Sequence, residues 1–191
     1  MKRKEILVKL FSEAKSPLLM NDELFNYLDN SGFYEQAAST RFHGDYRGGL
    51  FDHSLEVTKK LLELTFKLGL KWQRPESPYI IGMFHDLCKV DEYNIKVIKE
   101  GKVNFGEEDV VGEEVEIQKI PDTIIKGHGD KSIMYLSQFL TLTEEEILCI
   151  RFHMGAYNTE DWNGYDQAIK QFETVLWTHT ADMYASKVKN I

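Results

Sequence analysis

Residues 79–90 read Tyr-Ile-Ile-Gly-Met-Phe-His-Asp-Leu-Cys-Lys-Val. An apolar run ends abruptly at His85-Asp86, and Lys89 follows three residues later. Burying two adjacent polar side chains costs free energy unless they are paired or ligate something. Candidate partners lie on both sides of the pair: His53 upstream, and His128, His153 and Asp182 downstream. No short ligand pair of the Cys-x-x-Cys kind announces a metal, so these groups can meet only if a helical bundle turns them inward from several elements. Imidazole plus carboxylate suits a hard or borderline divalent ion such as Mn2+, Fe2+, Co2+, Ni2+ or Zn2+. The set is large enough for one or two ions, and it points to hydrolysis of a phosphate ester.

Outward from this stretch the chain reads mainly as helix. Ile6, Leu7, Leu10 and Phe11 fall on one face of a helix over Lys4 to Ala14. A second helix runs from Asn21 or Asp22 to Asp29 and stops at Asn30-Ser31-Gly32. Glu35 to Thr40 is expected to add a helical turn. The glycine-bearing loop 42–49 leads into a strong helix from Leu50 to Gly69, which carries His53. The Pro75–Pro78 linker then opens the apolar helix expected to carry His85-Asp86. Between Tyr93 and Ile125 the pattern changes. Val, Ile and Lys dominate 94–105, with a turn expected at Glu100-Gly101, and Val115 to Ile120 alternates apolar and polar. This predicts a small β-hairpin or flap around residues 94–125. Helix returns at Lys131 to Phe139. Thr143-Glu144-Glu145-Glu146 opens another helix, bearing His153 and ending at Gly155. One long helix, Asp166 to Lys187, carries Asp182. No linker or repeat divides the chain, so a single domain over 1–191 is expected, with N-terminal helices (1–40) packed on a core of 41–188.

Composition narrows the functional classes. The chain has 191 residues, 42% hydrophobic and 28% charged, which suits one domain with a sizeable core. No apolar stretch reaches membrane-spanning length, and the basic start lacks a signal-peptide core, so a cytoplasmic protein without membrane partners is expected. Cys88 and Cys149 read as reduced, buried thiols. The net charge of −8 argues against extended nucleic acid as a partner. It does not oppose a small anionic substrate, because bound cations invert the local potential. A homo-oligomer is compatible with everything in the sequence.

The order His53, His85-Asp86, Asp182 resembles the signature of the HD-domain metal-dependent phosphohydrolase superfamily. The flanks agree. Gly48-Gly49-Leu50-Phe51-Asp52-His53-Ser54-Leu55-Glu56-Val57 resembles the helix that opens the family's motif. His85-Asp86-Leu87-Cys88-Lys89 resembles its HDIGK segment, with Cys88 where glycine is commonest. Thr180-Ala181-Asp182-Met183-Tyr184-Ala185-Ser186 resembles its terminal helix. The resemblance spans about residues 41–188 and implies an HD-type helical bundle. It implies that His53, His85, Asp86 and Asp182 hold a first ion. Asp86 would bridge to a second ion, with His128 and His153 completing the binuclear arrangement.

The implied activity is cleavage of a phosphoester of a nucleotide or related small phosphate compound, by attack of a metal-bound hydroxide. Nucleotidase, phosphodiesterase and 3′-end exonuclease chemistries all fit. Lys89, one helical turn past Asp86, is the first choice for contacting the phosphate. Arg47, Lys131 and His43 are further substrate-binding candidates. Tyr157, Trp162 and Tyr165 could stack on a base, and His179 reads as a core histidine with a backbone partner. Two other classes share the implied fold: a non-catalytic nucleotide-sensing module, and a di-iron oxygenase. No Gly-x-Ser-x-Gly elbow supports a serine triad.

Overall fold

A computed structural model describes residues 2–105, 108–121, 127–157 and 161–191, with side chains described at all of these except 99–105 and 108–113. The described chain is mainly helical, with one two-stranded antiparallel hairpin. The helices are α1 (Arg3–Ala14), α2 (Asp22–Asn30), α3 (Gly49–Leu68), α4 (Ser77–Phe84), α5 (His128–Leu136), α6 (Glu144–Arg151), α7 (Trp162–Gln171) and α8 (Thr174–Met183). The strands are β1 (Tyr93–Phe105) and β2 (Glu108–Lys119). A 3-10 turn, Leu87–Asp91, follows α4, and a π-helical turn, Tyr184–Lys189, follows α8. No described helix is long and apolar enough to cross a membrane.

Phenylalanines knit the N-terminal segment to the two central helices. Phe11 of α1 meets Phe84 of α4 edge-on at 6.0 Å, and Phe33 packs on both Phe51 of α3 and Phe84 at 6.0 Å. One hydrophobic cluster contains all four rings together with Leu61, Ile80, Ile150 and Val175. The expected helical turn at Glu35–Thr40 does not form. The carbonyls of Glu35 and Gln36 instead accept from Gly48 and Leu50 at 2.8 and 2.9 Å. These are amide donors at the start of α3 that have no partner within the helix. The segment spends its backbone on capping that helix.

Two close approaches set the bundle. A methyl at Gly82 would lie 2.4 Å from Thr58 Oγ1 and 2.5 Å from Thr58 Cα, so α4 rests directly on the backbone of α3. A methyl at Gly129 would lie 2.6 Å from both Arg151 Cα and Ile150 O, which brings α5 onto α6 in the same way. A polar clamp fixes the start of α4 against α6. Glu146, fully buried, takes two hydrogen bonds from Arg74 at 2.6 and 2.7 Å and one from Ser77 Oγ at 2.9 Å. Thr143 and Glu146 also form a reciprocal capping box at the start of α6.

The hairpin matches the expected flap, without the turn expected at Glu100-Gly101. Gly101 pairs with Gly112 inside the ladder, and pairing continues to Phe105 opposite Glu108. Residues 106–107 and 122–126 of that stretch lie outside the described residues. The base of the hairpin is tied to the N-terminal segment, because Gln36 Nε2 donates to the carbonyls of Val90 and Tyr93 at 3.2 and 2.9 Å. The long helix expected over Asp166 to Lys187 is three pieces. Phe172 is extended (φ −135°, ψ 103°) and separates α7 from α8. The break lets the buried Thr174 hydroxyl donate to Glu145 of α6 at 2.5 Å. It also swings α7 and its aromatic residues over the end of the bundle that bears Asp182.

Candidate metal centre

His53 lies in the first turns of α3. His85 is the C-cap of α4, and Asp86 follows in a backbone conformation between helix and extended chain (φ −108°, ψ 22°). The pair therefore sits just past its helix rather than within it. His153 likewise follows the end of α6, in the turn after Arg151. Asp182 lies near the end of α8. Packing at Gly82 and the clamp at Glu146 bring these ends together. His53, His85, Asp86 and His153 are at most 2% exposed.

Each of three histidines spends one nitrogen on a main-chain oxygen. His53 Nδ1 bonds Ile191 O at 2.8 Å, His85 Nδ1 bonds Gly82 O at 3.0 Å, and His153 Nδ1 bonds Ile150 O at 2.7 Å. A main-chain oxygen only accepts, so each Nδ1 carries the proton and each Nε2 presents its lone pair, as in histidines that ligate metals. The Nε2 atoms of His53 and His85 converge, and that of His153 meets the Asp86 they share. His53 Nε2 is 3.2 Å from His85 Nε2 and 3.1 Å from Asp182 Oδ1. Asp86 Oδ2 lies 3.8 and 3.6 Å from those two nitrogens, and Asp86 Oδ1 lies 3.4 Å from His153 Nε2.

Lone pairs facing one another across such gaps repel unless a proton or a cation lies between them. Two ligand atoms about 2.1 Å from one ion stand about 3.0 Å apart at a right angle and about 3.4 Å apart at the tetrahedral angle. The His53–His85 and His53–Asp182 separations match those values, and the remaining ones, 3.6 to 3.9 Å, are wider by a few tenths of an ångström, so His53, His85 and Asp86 form a group that could hold one ion, with Asp182 beside both histidines. The two oxygens of Asp86 face different neighbours, Oδ2 towards His53 and His85, and Oδ1 towards His153. Asp86 Oδ1 and His153 Nε2 are buried without a hydrogen-bond partner, since their 3.4 Å approach is not a well-formed bond. Buried orphans of this kind call for an ion or a water to satisfy them.

The electrostatics favour the ligand forms of His85, Asp86 and Asp182. Burial pulls the His85 imidazole down to about 4, which keeps it neutral. Burial alone would raise the Asp86 carboxyl, but Lys89, with Nζ 2.6 Å from Oδ2, and the neighbouring histidines hold it well below the usual range. Burial would also raise Asp182, and the adjoining His53 outweighs it, so that carboxyl too is held low. For His153, burial is overcome by the approach of Asp86, and its pKa lies above the ordinary value, so here a proton competes with an ion for Nε2. Two carboxylates are thus ionised at neutral pH in a nearly water-free setting, where a cation gains most.

A second group adjoins the first through Asp86. His128 opens α5, and its Nδ1 lies 3.8 Å from Cys88 Sγ and 3.9 Å from Glu92 Oε2. Asp86, Cys88 and His128 offer ligand atoms that all lie within 4.8 Å of one another. Burial lowers the His128 pKa and pushes the Cys88 thiol well up, so the thiol keeps its proton until a cation replaces it. Cys88 and Glu92 are the site residues that the sequence did not single out. In a 3-10 turn of three residues, Asp86, Lys89 and Glu92 share one face. Reading the segment as α-helix hides that alignment.

The substrate-binding candidates divide. His43 stands over His53, with ring centroids 4.8 Å apart, and burial together with His53 lowers it to about 4. It lines a cleft of about 610 Å³ that Asp182 also borders, with Phe42, Tyr157, Trp162, Tyr165 and Lys187 on its walls. Lys89 is at the site, buried and paired with Asp86. Lys131 is not directed there: its Nζ bonds Asp91 at 2.5 Å. Arg47 pairs with Glu35 at 2.5 Å and borders a separate surface hollow with Gly32 and Tyr93. His179 donates from Nδ1 to the His153 carbonyl at 2.8 Å, the backbone partner expected of it, and its ring borders the cleft. Comparison of the chain with protein-family models, curated proteins and solved structures found no match.

Proposed function

We propose that this chain is a divalent-metal-dependent phosphohydrolase of the HD-domain type, cleaving a phosphoester of a nucleotide or related small phosphate compound. One observation carries the reading. Three buried histidines each anchor Nδ1 on a main-chain oxygen; His53 and His85 turn Nε2 onto Asp86 and Asp182, with those two nitrogens only 3.2 Å apart, and His153 turns Nε2 onto Asp86. A divalent ion held there supplies Lewis acidity and an activated water at neutral pH. The chain's own groups do the rest. Asp86 and Asp182 supply the negative charge that holds the ion. Lys89 neutralises Asp86 at rest and offers a buried ammonium that can turn to an incoming phosphate oxygen. His43, neutral and beside His53, stands between the cluster and the cleft, where it can donate to or accept from a substrate. The aromatic walls of the cleft suit the flat, apolar part of such a substrate, and their low polarity helps exclude water.

The test is turnover of a panel containing a nucleoside monophosphate, a nucleoside triphosphate, a cyclic nucleotide and a short oligonucleotide, each with Mn2+, Co2+, Ni2+ or Zn2+. Activity that chelation abolishes and Asp86→Ala removes is expected. Tight nucleotide binding without turnover would favour a sensing module instead. Turnover that is indifferent to both chelator and Asp86→Ala would refute the proposal.

A further inference from the structure

Cys88 occupies an odd place for a core thiol. It is fully buried, yet its surroundings are polar: His128 Nδ1 at 3.8 Å, the Asp86 carboxylate within 4.8 Å, and the Ser132 hydroxyl accepting from the Cys88 amide at 3.1 Å. The bond to Ser132 fixes the 3-10 turn on α5, so the thiol is held in place rather than left to repack. Cys149 serves as an internal comparison. It too is fully buried, but its Sγ bonds the Thr174 hydroxyl, and it joins no candidate metal group among the described residues. Glu92 Oε2, 3.9 Å from His128 Nδ1, is buried without a hydrogen-bond partner, as is the nearly inaccessible Asp86 Oδ1.

We propose that Cys88, His128, Asp86 and Glu92 form a thiolate-bearing metal position beside the imidazole–carboxylate one, and that it selects a borderline ion such as Zn2+ or Co2+ over Mn2+ or Mg2+. The inference rests on the metal-dependent reading above. It adds that the two positions differ in donor softness. On a tetrahedral ion, with about 2.3 Å to sulfur and about 2.05 Å to nitrogen, those two atoms stand about 3.6 Å apart, and nitrogen and oxygen about 3.4 Å. The resting separations of 3.8 and 3.9 Å from His128 Nδ1 to Cys88 and Glu92 need only a small inward movement, and the Asp86 oxygen, within 4.8 Å of Cys88 and His128, closes the same gap. A cation entering here displaces the thiol proton to solvent and forms one sulfur–metal bond. Thiolate donors favour Zn2+ and Co2+, whereas sites of oxygen and nitrogen alone discriminate less against Mn2+. Asp86, touching both groups, would couple the filling of the two positions.

The test is optical titration of the full chain, stripped of metal, with Co2+ in the absence of oxygen. Cobalt bound by a thiolate gives a near-ultraviolet sulfur-to-metal charge-transfer band. Cobalt bound only by nitrogen and oxygen gives visible ligand-field bands without it. The wild-type chain is expected to show both, with the charge-transfer band growing to one ion per chain. Cys88→Ser should lose that band, keep the visible bands, and bind its second ion at least about tenfold more weakly. Cys149→Ser should keep everything, and far-ultraviolet circular dichroism checks the folding of each variant. Visible bands without a charge-transfer band in the wild type would overturn this inference and leave the first position standing. Persistence of the band in Cys88→Ser would also overturn it. Absence of any cobalt binding would sink this inference and the metal-dependent reading together.

Discussion

Gly82→Ala should weaken both the fold and metal binding, although residue 82 supplies no metal-binding side chain. Helix propensity alone predicts the opposite sign, because alanine in a helix is better than glycine by about 0.8–1.0 kcal/mol. Packing decides otherwise. The added methyl would lie 2.5 Å from Thr58 Cα, whereas ordinary van der Waals separation begins at 3.4 Å, so α3 and α4 must part locally by about 0.9 Å. Over-packing of this kind costs about 1–3 kcal/mol, and a backbone neighbour places it at the upper end. A net loss of about 2 kcal/mol corresponds to a Tm lower by about 4–8 °C in a chain of this size. The same displacement separates His53, on α3, from His85, at the end of α4. Their 3.2 Å spacing would exceed the roughly 3.4 Å that one tetrahedral ion spans, and affinity should fall by about tenfold or more. Thermal melts in chelator read the first effect, and calorimetric titration of the folded variant with Zn2+ reads the second. Adding Thr58→Ala removes the clash with the threonine hydroxyl but leaves the one with its backbone, so rescue should be partial. A variant with wild-type Tm and wild-type metal affinity would refute the account of how the helices are held.

Glu146→Ala strips the buried partner from Arg74 and Ser77 and should cost about 3 kcal/mol, read as a lower urea midpoint, with Glu146→Gln less damaging. Metal-free protein should lose stability as pH falls from 6.5 to 4. The His85 pKa is about 4 in the folded chain against an ordinary 6.5, so protonation favours unfolding, and its contribution of about 3 kcal/mol is present above 6.5 and spent by 4. His153, raised rather than lowered, offsets part of that loss, and the depressed Asp86 and Asp182 carboxyls add a further decline below about pH 4. A urea midpoint that stays level or rises over this interval in chelator would contradict the assignment of a buried neutral His85. Saturating Zn2+ at about a hundred times its Kd should add about 2.7 kcal/mol, or about 5–10 °C in Tm. Chelation should reverse the gain, and His53→Ala should abolish most of it.

Much of the architecture is legible in the sequence because apolar periodicity is a local signal. The helices around Leu7, Leu24 and Leu61 sit close to where their spacing puts them, and the change to alternation after Tyr93 marks the hairpin. The misread places are those where tertiary contacts overrode the local pattern. Glu35 and Gln36 give their carbonyls to the start of α3. Nothing between Gln171 and Thr174 breaks a helix by composition, and the break at Phe172 accompanies a tertiary bond, from Thr174 to Glu145. The histidines and aspartates that meet were visible as an ordered set of polar residues in apolar surroundings. Lys131 and Arg47 were not resolvable the same way. Proximity in sequence to His128 and His53 says nothing about which acid each cation finds, and each found one on another element: Asp91 for Lys131 and Glu35 for Arg47.

The distribution of the site over helix ends has its own physical logic. A helix interior keeps its backbone polar groups to itself, whereas chain that leaves a helix has carbonyls to spare. Two of the histidines use a carbonyl three residues back in their own segment, Gly82 for His85 and Ile150 for His153. That i−3 geometry locks the imidazole tautomer without any second side chain, so the orientation of each Nε2 is written into the local turn. The helix ends therefore have to be brought together, and this is done by Gly82 on Thr58, Gly129 on Arg151, and Glu146 across Arg74 and Ser77. The outcome is a buried cluster of ring nitrogens and two carboxylates, with Lys89 paired to Asp86, that could hold a metal ion. With an ion bound there, stability and occupancy would be coupled, and a substitution that loosens the helix packing should be felt at the ligands before it is felt in the secondary structure. Circular dichroism of Gly129→Ala at room temperature should thus remain native in shape while binding of the ion at His128 and Cys88 falls. Loss of helicity in step with loss of binding would show that the two are a single cooperative unit with no separable local effect.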